Sequence, residues 1–200
     1  MKFILLVYVI ILSSAGYSQA NIEWSSDSKL TIHHFLSPQT EINKALKSYS
    51  FYSGSNINFS FQMSKVEFMF TKNFNNKVKT IFNMDSAAII ATDSTMAKQL
   101  VNYGQYNFDL TELYTRKFRK EMHEQKGAFS NINFFKPIFD KLQAQLNAEN
   151  ARVSKLTQIG RDETLLKVEH QKVLMQIEEL ASFCFECKPP KKEKRKTSKF

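Results

Sequence analysis

From about Thr95 to Glu124 the chain carries no proline and is dense in helix formers, and no other stretch restricts the fold as strongly. Leu100, Tyr103, Asn107, Leu110 and Tyr114 recur at three- and four-residue intervals, the spacing that stacks side chains on one face of an α-helix. Asp93 or Ser94 supplies the short oxygen-bearing side chain that caps such a helix at its start. An inward face of this length requires other elements to cover it.

The preceding residues read as strands. Asn56 to Gln62 (NINFSFQ) and Lys65 to Thr71 (KVEFMFT) alternate apolar with polar, and Val78 to Met84 (VKTIFNM) makes a third strand. Gly54, Ser64 and the Asn-rich run Asn73 to Asn76 suit the turns between them. A meander with one wet face is the simplest arrangement. Beyond the long helix, Gly127 to Asn133 reads as a linker and Pro137 sits where a second helix opens. Helical patterns then run through Phe139, Leu142, Leu146, Val153 and Leu156, break near Gly160 and resume to about Phe183. The expected fold is α+β, a small antiparallel sheet followed by a long helix and further packed helices.

The two ends read differently from this body. Met1-Lys2 is a basic start, Phe3 to Leu12 is an unbroken apolar run, and small residues follow up to Ser18. That order is the pattern of a secretory signal peptide with cleavage after Ser18, and the run is half the roughly 20 residues a membrane-spanning helix needs. The expected organisation is a leader over 1–18, one domain over 19–187 and a basic, disordered tail over 188–200, with the mature chain exported to the periplasm or beyond. No further apolar segment is long enough to span a membrane. Of the formal charge of +9, the tail supplies seven Lys/Arg against one Glu and Lys2 supplies one more, so the body is nearly neutral. A nearly neutral body is not the footprint of a nucleic-acid-binding fold. Outside the cell, Lys191, Lys192, Lys194, Arg195 and Lys196 would instead attract anionic envelope components. Cys184 and Cys187 are the only cysteines, and in an oxidising compartment a local disulfide is the expected state.

Gln99 to Arg119 (QLVNYGQYNFDLTELYTRKFR) carries the most information about function. It resembles the signature helix of bacterial domain of unknown function family 922, secreted zinc-dependent proteases. That helix reads His-Glu-Gln-x-His-Phe-Asp-Ile-Thr-Glu-Leu-Tyr-Ala-Arg-Lys-Leu-Arg. Gln105, Phe108, Asp109, Thr111, Glu112, Leu113, Tyr114, Arg116, Lys117 and Arg119 stand in register with it. Trp24, Leu30, Thr31 and Phe35 match the family's opening W-x-x-x-x-x-L-T-x-x-x-F, and Asp162-Glu163-Thr164 falls where a late D-x-E-T-like motif is expected. The resemblance covers roughly residues 22–180 and implies a zincin-like fold with zinc as cofactor.

The chemistry that the resemblance implies is missing. A zinc hydrolase of this class needs two imidazoles four residues apart on a helix and a carboxylate beside the first. Here those positions hold Tyr103, Asn107 and Gly104, and the late His position holds Leu166. A neutral phenol and an amide are poor zinc ligands. The expectation is therefore no catalytic residues, no bound metal, and a binding or structural role. Glu112 with Arg116 reads as an (i, i+4) salt bridge rather than a catalytic acid.

Two alternatives remain. One is an active metal-dependent hydrolase with a relocated site drawing on His33 or His34, Glu112 and His170. Against it, His33 and His34 are adjacent and would face opposite sides of a strand, His170 lies among Lys167, Glu169 and Lys172 as on an exposed helix face, and His123-Glu124 reads as a solvated surface pair. The other is an envelope-binding protein that works through its tail. No Ser-His-Asp order or G-x-S-x-G elbow is present.

Overall fold

Asp93 sits in extended backbone and its Oδ1 accepts from the Met96 N–H at 2.8 Å, which starts α2 (Ser94–Gln125) where the sequence places it. The computed structural model describes residues 20–59, 64–127 and 132–192. The expected leader and its cleavage point, and Lys194, Arg195 and Lys196, lie outside the described residues.

The fold is α+β. Helix α2 is its central member, buried on nearly every side from Tyr103 to Arg119. Six strands precede or flank its start among the described residues: β1 (Asn21–Glu23), β2 (Glu41–Ile42), β3 (Ser50–Tyr52), β4 (Ser55–Phe59), β5 (Val78–Asn83) and β6 (Ala88–Ala91). They form two small sheets rather than one meander. One is antiparallel in the order β1-β5-β4; the other is mixed, β2-β6-β3, with β2 parallel and β3 antiparallel to β6. Along β5, Val78, Thr80 and Phe82 are buried while the residues between them are half-exposed, so alternation places one face against α2.

The expectation of a strand over Lys65–Thr71 is wrong: Lys65–Phe70 is helix α1. Ser64 Oγ accepts from the Glu67 N–H at 3.1 Å, and Ser-x-x-Glu is the helix-starting pattern that outweighs the alternation of Val66, Phe68 and Phe70. Only Phe68 of these three is buried, so the alternating residues never share a covered face. The strand expected over 56–62 is β4, ending at Phe59, with 60–63 outside the described residues.

After α2, α3 (Phe135–Thr157) and α4 (Glu163–Glu179) pack against it and against each other. Gln158, Ile159 and Gly160 turn the chain between them with φ of 50°, 56° and 84°. A Cβ on Gly160 would lie 2.8 Å from Tyr103 Cβ, so glycine here serves both the left-handed backbone and the close approach to α2. Asp162 Oδ1 caps α4 by accepting from Leu165 N–H at 2.9 Å. One core lies between α2, α3, α4 and β5; a second lies between the start of α2, Phe35, Phe82 and β6.

Candidate functional site

The zinc-ligand positions of the resemblance lie on the face of α2 that meets α3. Tyr103 OH donates to Asn150 Oδ1 at 3.1 Å, and Asn107 Nδ2 donates to the same oxygen at 2.5 Å. Ser53 Oγ completes the set by donating to Asn107 Oδ1 at 2.7 Å. Tyr103 and Asn107 are buried, and burial pushes the Tyr103 phenol above its ordinary range, keeping it a neutral donor. A shallow depression of about 280 Å³ opens beside these groups, its other walls formed by Phe51, Ala151, Ser154 and Ile159. The two positions thus tie α2 to α3 and to the segment between β3 and β4.

Gly104 and Leu166 also have packing roles. A Cβ on Gly104 would lie 3.0 Å from Phe35 Cζ and 3.2 Å from Phe51 Cε2, so two aromatic rings occupy the space a side chain would need. Leu166 is buried and, like Tyr103, borders Gly160, so the late-motif position does come to rest beside the helix position it would accompany.

Glu112 lies on another face and anchors a buried ionic cluster. Its Oε1 accepts from Arg116 Nε at 2.8 Å and Arg119 Nη1 at 3.1 Å, and its Oε2 accepts from Thr80 Oγ1 at 2.7 Å. Backbone carbonyls take further guanidinium donors: Val78 O and Phe183 O from Arg119, and Ile177 O from Arg116. The expected Glu112–Arg116 pair is present, but it is buried and includes Arg119, whose role its sequence position did not reveal. Desolvation pulls the Arg119 guanidinium below its ordinary range, and Glu112 opposes that shift.

A third polar group joins α2 to β1 and α4. Asp109 accepts from the Trp24 indole N–H at 2.7 Å and from Gln105 Nε2 at 3.1 Å, and lies 2.7 Å from His170 Nε2. His170 is therefore not on a freely exposed helix face, because α4 turns it toward α2. It borders an open cavity of about 540 Å³ with Asn102, Gln105, Glu163, Thr164, Leu166 and Lys167. The Trp24 ring also stacks on the Arg116 guanidinium at 5.3 Å.

The remaining candidates lie apart in role. Ile32–His34 is a 3-10 turn, not a strand, and His34 Nδ1 accepts from the Thr31 N–H at 3.0 Å. His123 is buried against the Phe183 ring, which corrects its reading as half of a solvated pair; Glu124 is exposed. Among the described residues, no three His, Cys, Asp or Glu side chains gather as a metal-binding group. No helix among them is long and apolar enough to cross a membrane. Cys184 and Cys187 are bonded to each other, and the loop they close is held by Asn75, whose Nδ2 donates to Cys187 O at 2.9 Å and Ser182 O at 3.1 Å.

Asn150 and Ser53, which bond to the polar atoms of Tyr103 and Asn107, carry no local sequence signal. They become partners only when α3 and the β3–β4 segment come to rest on α2. No protein-family model, curated protein or solved structure matches this chain.

Proposed function

We propose that the chain is an exported, non-catalytic relative of the secreted zinc-dependent proteases of domain of unknown function family 922, with a zincin-like frame and a binding or structural role. One observation carries this reading: Tyr103 and Asn107, at the two helix-ligand positions, both spend their donors on Asn150 Oδ1. A zinc ion needs lone pairs directed at it, and a donating phenol, a donating amide, a glycine and a leucine do not provide that set. These residues do not fit the metal, and no hydrolytic step is assigned to them. The residues that keep register with the family have scaffold roles. Trp24, Asp109, Glu112, Arg116 and Arg119 form one connected polar network, Leu30 N–H bonds to Gln105 Oε1 at 2.8 Å, Phe35 fills the space over Gly104, and Asp162 caps α4.

The test is metal content. Residues 19–187, purified without chelators or a histidine tag, should hold near-zero zinc and gain no thermal stability when zinc is added. One tightly held zinc per chain, or proteolysis that a chelator abolishes, overturns the proposal.

A second reading, a hydrolase with a relocated site, draws support from the Asp109–His170 contact. A carboxylate that fixes an imidazole beside an open cavity is the arrangement of an oriented general base. On that reading His170→Ala abolishes hydrolytic activity while leaving the melting temperature nearly unchanged. The same reading no longer draws on Glu112, which both arginines hold.

A further inference from the structure

Among the described residues, helix α1 buries one side chain in the body. Phe68 is 3% exposed and packs on Phe74 and Phe134, while Val66, Met69 and Phe70 stand 65%, 57% and 76% exposed. Phe70 and Val66 are the most exposed large apolar residues among those described, and they share one short helix with Met69. Single exposed apolar residues need no explanation, but a cluster usually marks a contact surface.

The surroundings of this cluster are cationic. Lys72 is exposed just beyond α1, and Lys126 donates to Met69 O at 3.2 Å at the helix's C-terminal end. Lys192 donates in turn to Lys126 O at 2.7 Å. The segment from Lys188 to Lys192 therefore returns to the end of α2 beside α1, and with Met69 it encloses a largely apolar groove of about 710 Å³. Asn73 and Asn75 fix where that segment begins, both donating to Cys187 O. Lys188, Lys191 and Lys192 of that segment are exposed, so its cations lie on the same surface as Lys72 and Met69.

From this juxtaposition we infer that α1 and the adjoining basic segment form a docking surface for an anionic lipid bilayer. Lysines meet the phosphate headgroups while Val66, Met69 and Phe70 enter the interface between headgroups and acyl chains. Polyanions such as nucleic acid or acidic polysaccharide would pair with the lysines but leave the three apolar side chains uncovered. A bilayer satisfies both, as in peripheral proteins that combine basic residues with an apolar wedge. Glu67, the one acidic residue of α1, is turned to Lys77 at 3.5 Å. The inference does not rest on the fate of the zinc site, so the vesicle and metal measurements fail or succeed separately.

The test uses the chain from Gln19 to Phe200, which keeps every contact described above and removes the apolar run Phe3–Leu12 from the readout. Its co-sedimentation is measured with phosphatidylcholine vesicles with and without phosphatidylglycerol. Binding should require phosphatidylglycerol and weaken as salt rises. Lys72→Gln/Lys188→Gln/Lys191→Gln should weaken it on the order of a hundredfold, from about fivefold per charge near an anionic surface. Met69→Ser/Phe70→Ser, at unchanged charge, should weaken it roughly tenfold through lost apolar burial. Val66→Glu, at a separate exposed position, should act in the same direction, and circular dichroism melts check that each variant is folded. Three results each overturn the inference: no binding to phosphatidylglycerol vesicles, equal binding to neutral vesicles, or charge-dependent binding that ignores the α1 variants. The last would leave only a diffuse attraction of the tail.

Discussion

Replacing Glu112 by Gln removes one negative charge and almost no volume, so it isolates electrostatics from packing. Among the described residues, Glu112 is the only carboxylate bonded to Arg116 and Arg119, and the side chains of all three are less than a tenth exposed. The amide leaves two guanidinium groups in a low-dielectric site and turns an N–H₂ toward groups that donate. Removing one partner of a buried ion pair typically costs about 3–5 kcal/mol, because the surviving charge is uncompensated. The carbonyls of Val78, Phe183 and Ile177 still accept from the arginines and place the expected loss near the lower figure. For a chain of this size each kcal/mol lowers the melting temperature by about 2–4 °C, so Glu112→Gln should melt about 6–12 °C below wild type. Calorimetry or a circular dichroism melt reads this directly. Thr80→Val removes an uncharged donor from the same carboxylate and the 2.6 Å contact with Thr115 Oγ1, and should cost about 2 kcal/mol. A Glu112→Gln melt within about 2 °C of wild type would refute the buried-cluster reasoning. Added zinc should not change the comparison, since Glu112 acts here as the counter-ion of two arginines.

Three further outcomes follow from the same geometry. Gly104→Glu, which sets a carboxylate where the metalloprotease pattern has one, should destabilise by more than about 3 kcal/mol. It drives an unpaired carboxylate between Phe35 and Phe51, and urea titration would show it. Gly160→Ala should cost about 2 kcal/mol or more, since its φ is 84° and the new Cβ would meet Tyr103 Cβ at 2.8 Å and Gln99 O at 3.0 Å; a thermal melt reads the loss. Glu169 is held below the usual carboxylate range, first by the Lys172 ammonium at 2.6 Å and also by Arg152. A depressed carboxyl pKa contributes stability above its unfolded value of about 4.3 and loses it as pH falls through the folded value. Stability measured as a function of pH should therefore drop more steeply below about pH 4.3 in wild type than in Glu169→Gln.

Signals of short range in sequence survive into the structure. Helix α2, its cap at Asp93, the break at Gly160, the strand over Val78–Asn83 and the Glu112–Arg116 pair were all legible, because each depends on residues within a few positions of one another. That positions 103, 104 and 107 hold a phenol, a glycine and an amide, and neither imidazole nor carboxylate, is read from the sequence whatever the fold. The Ser-x-x-Glu start of α1 was present in the sequence, but the alternation of apolar residues masked it. That could be resolved only by seeing Val66 and Phe70 left in solvent.

Tertiary structure alone decided what those positions do. Asn107 meets Asn150 across 43 residues of chain, Asp109 meets His170 across 61, and Trp24 meets Asp109 across 85. No local period encodes such pairs; they exist because α3 and α4 fold back onto α2 and Trp24, just past β1, reaches it. The same docking buries His123, turns His170 inward, and sets the basic segment after Cys187 beside the uncovered side of α1. Local propensity fixes which residues a helix presents on each face. What each face meets depends on how the whole chain closes around α2, because burying one element's apolar face determines where every remaining polar group must find its partner.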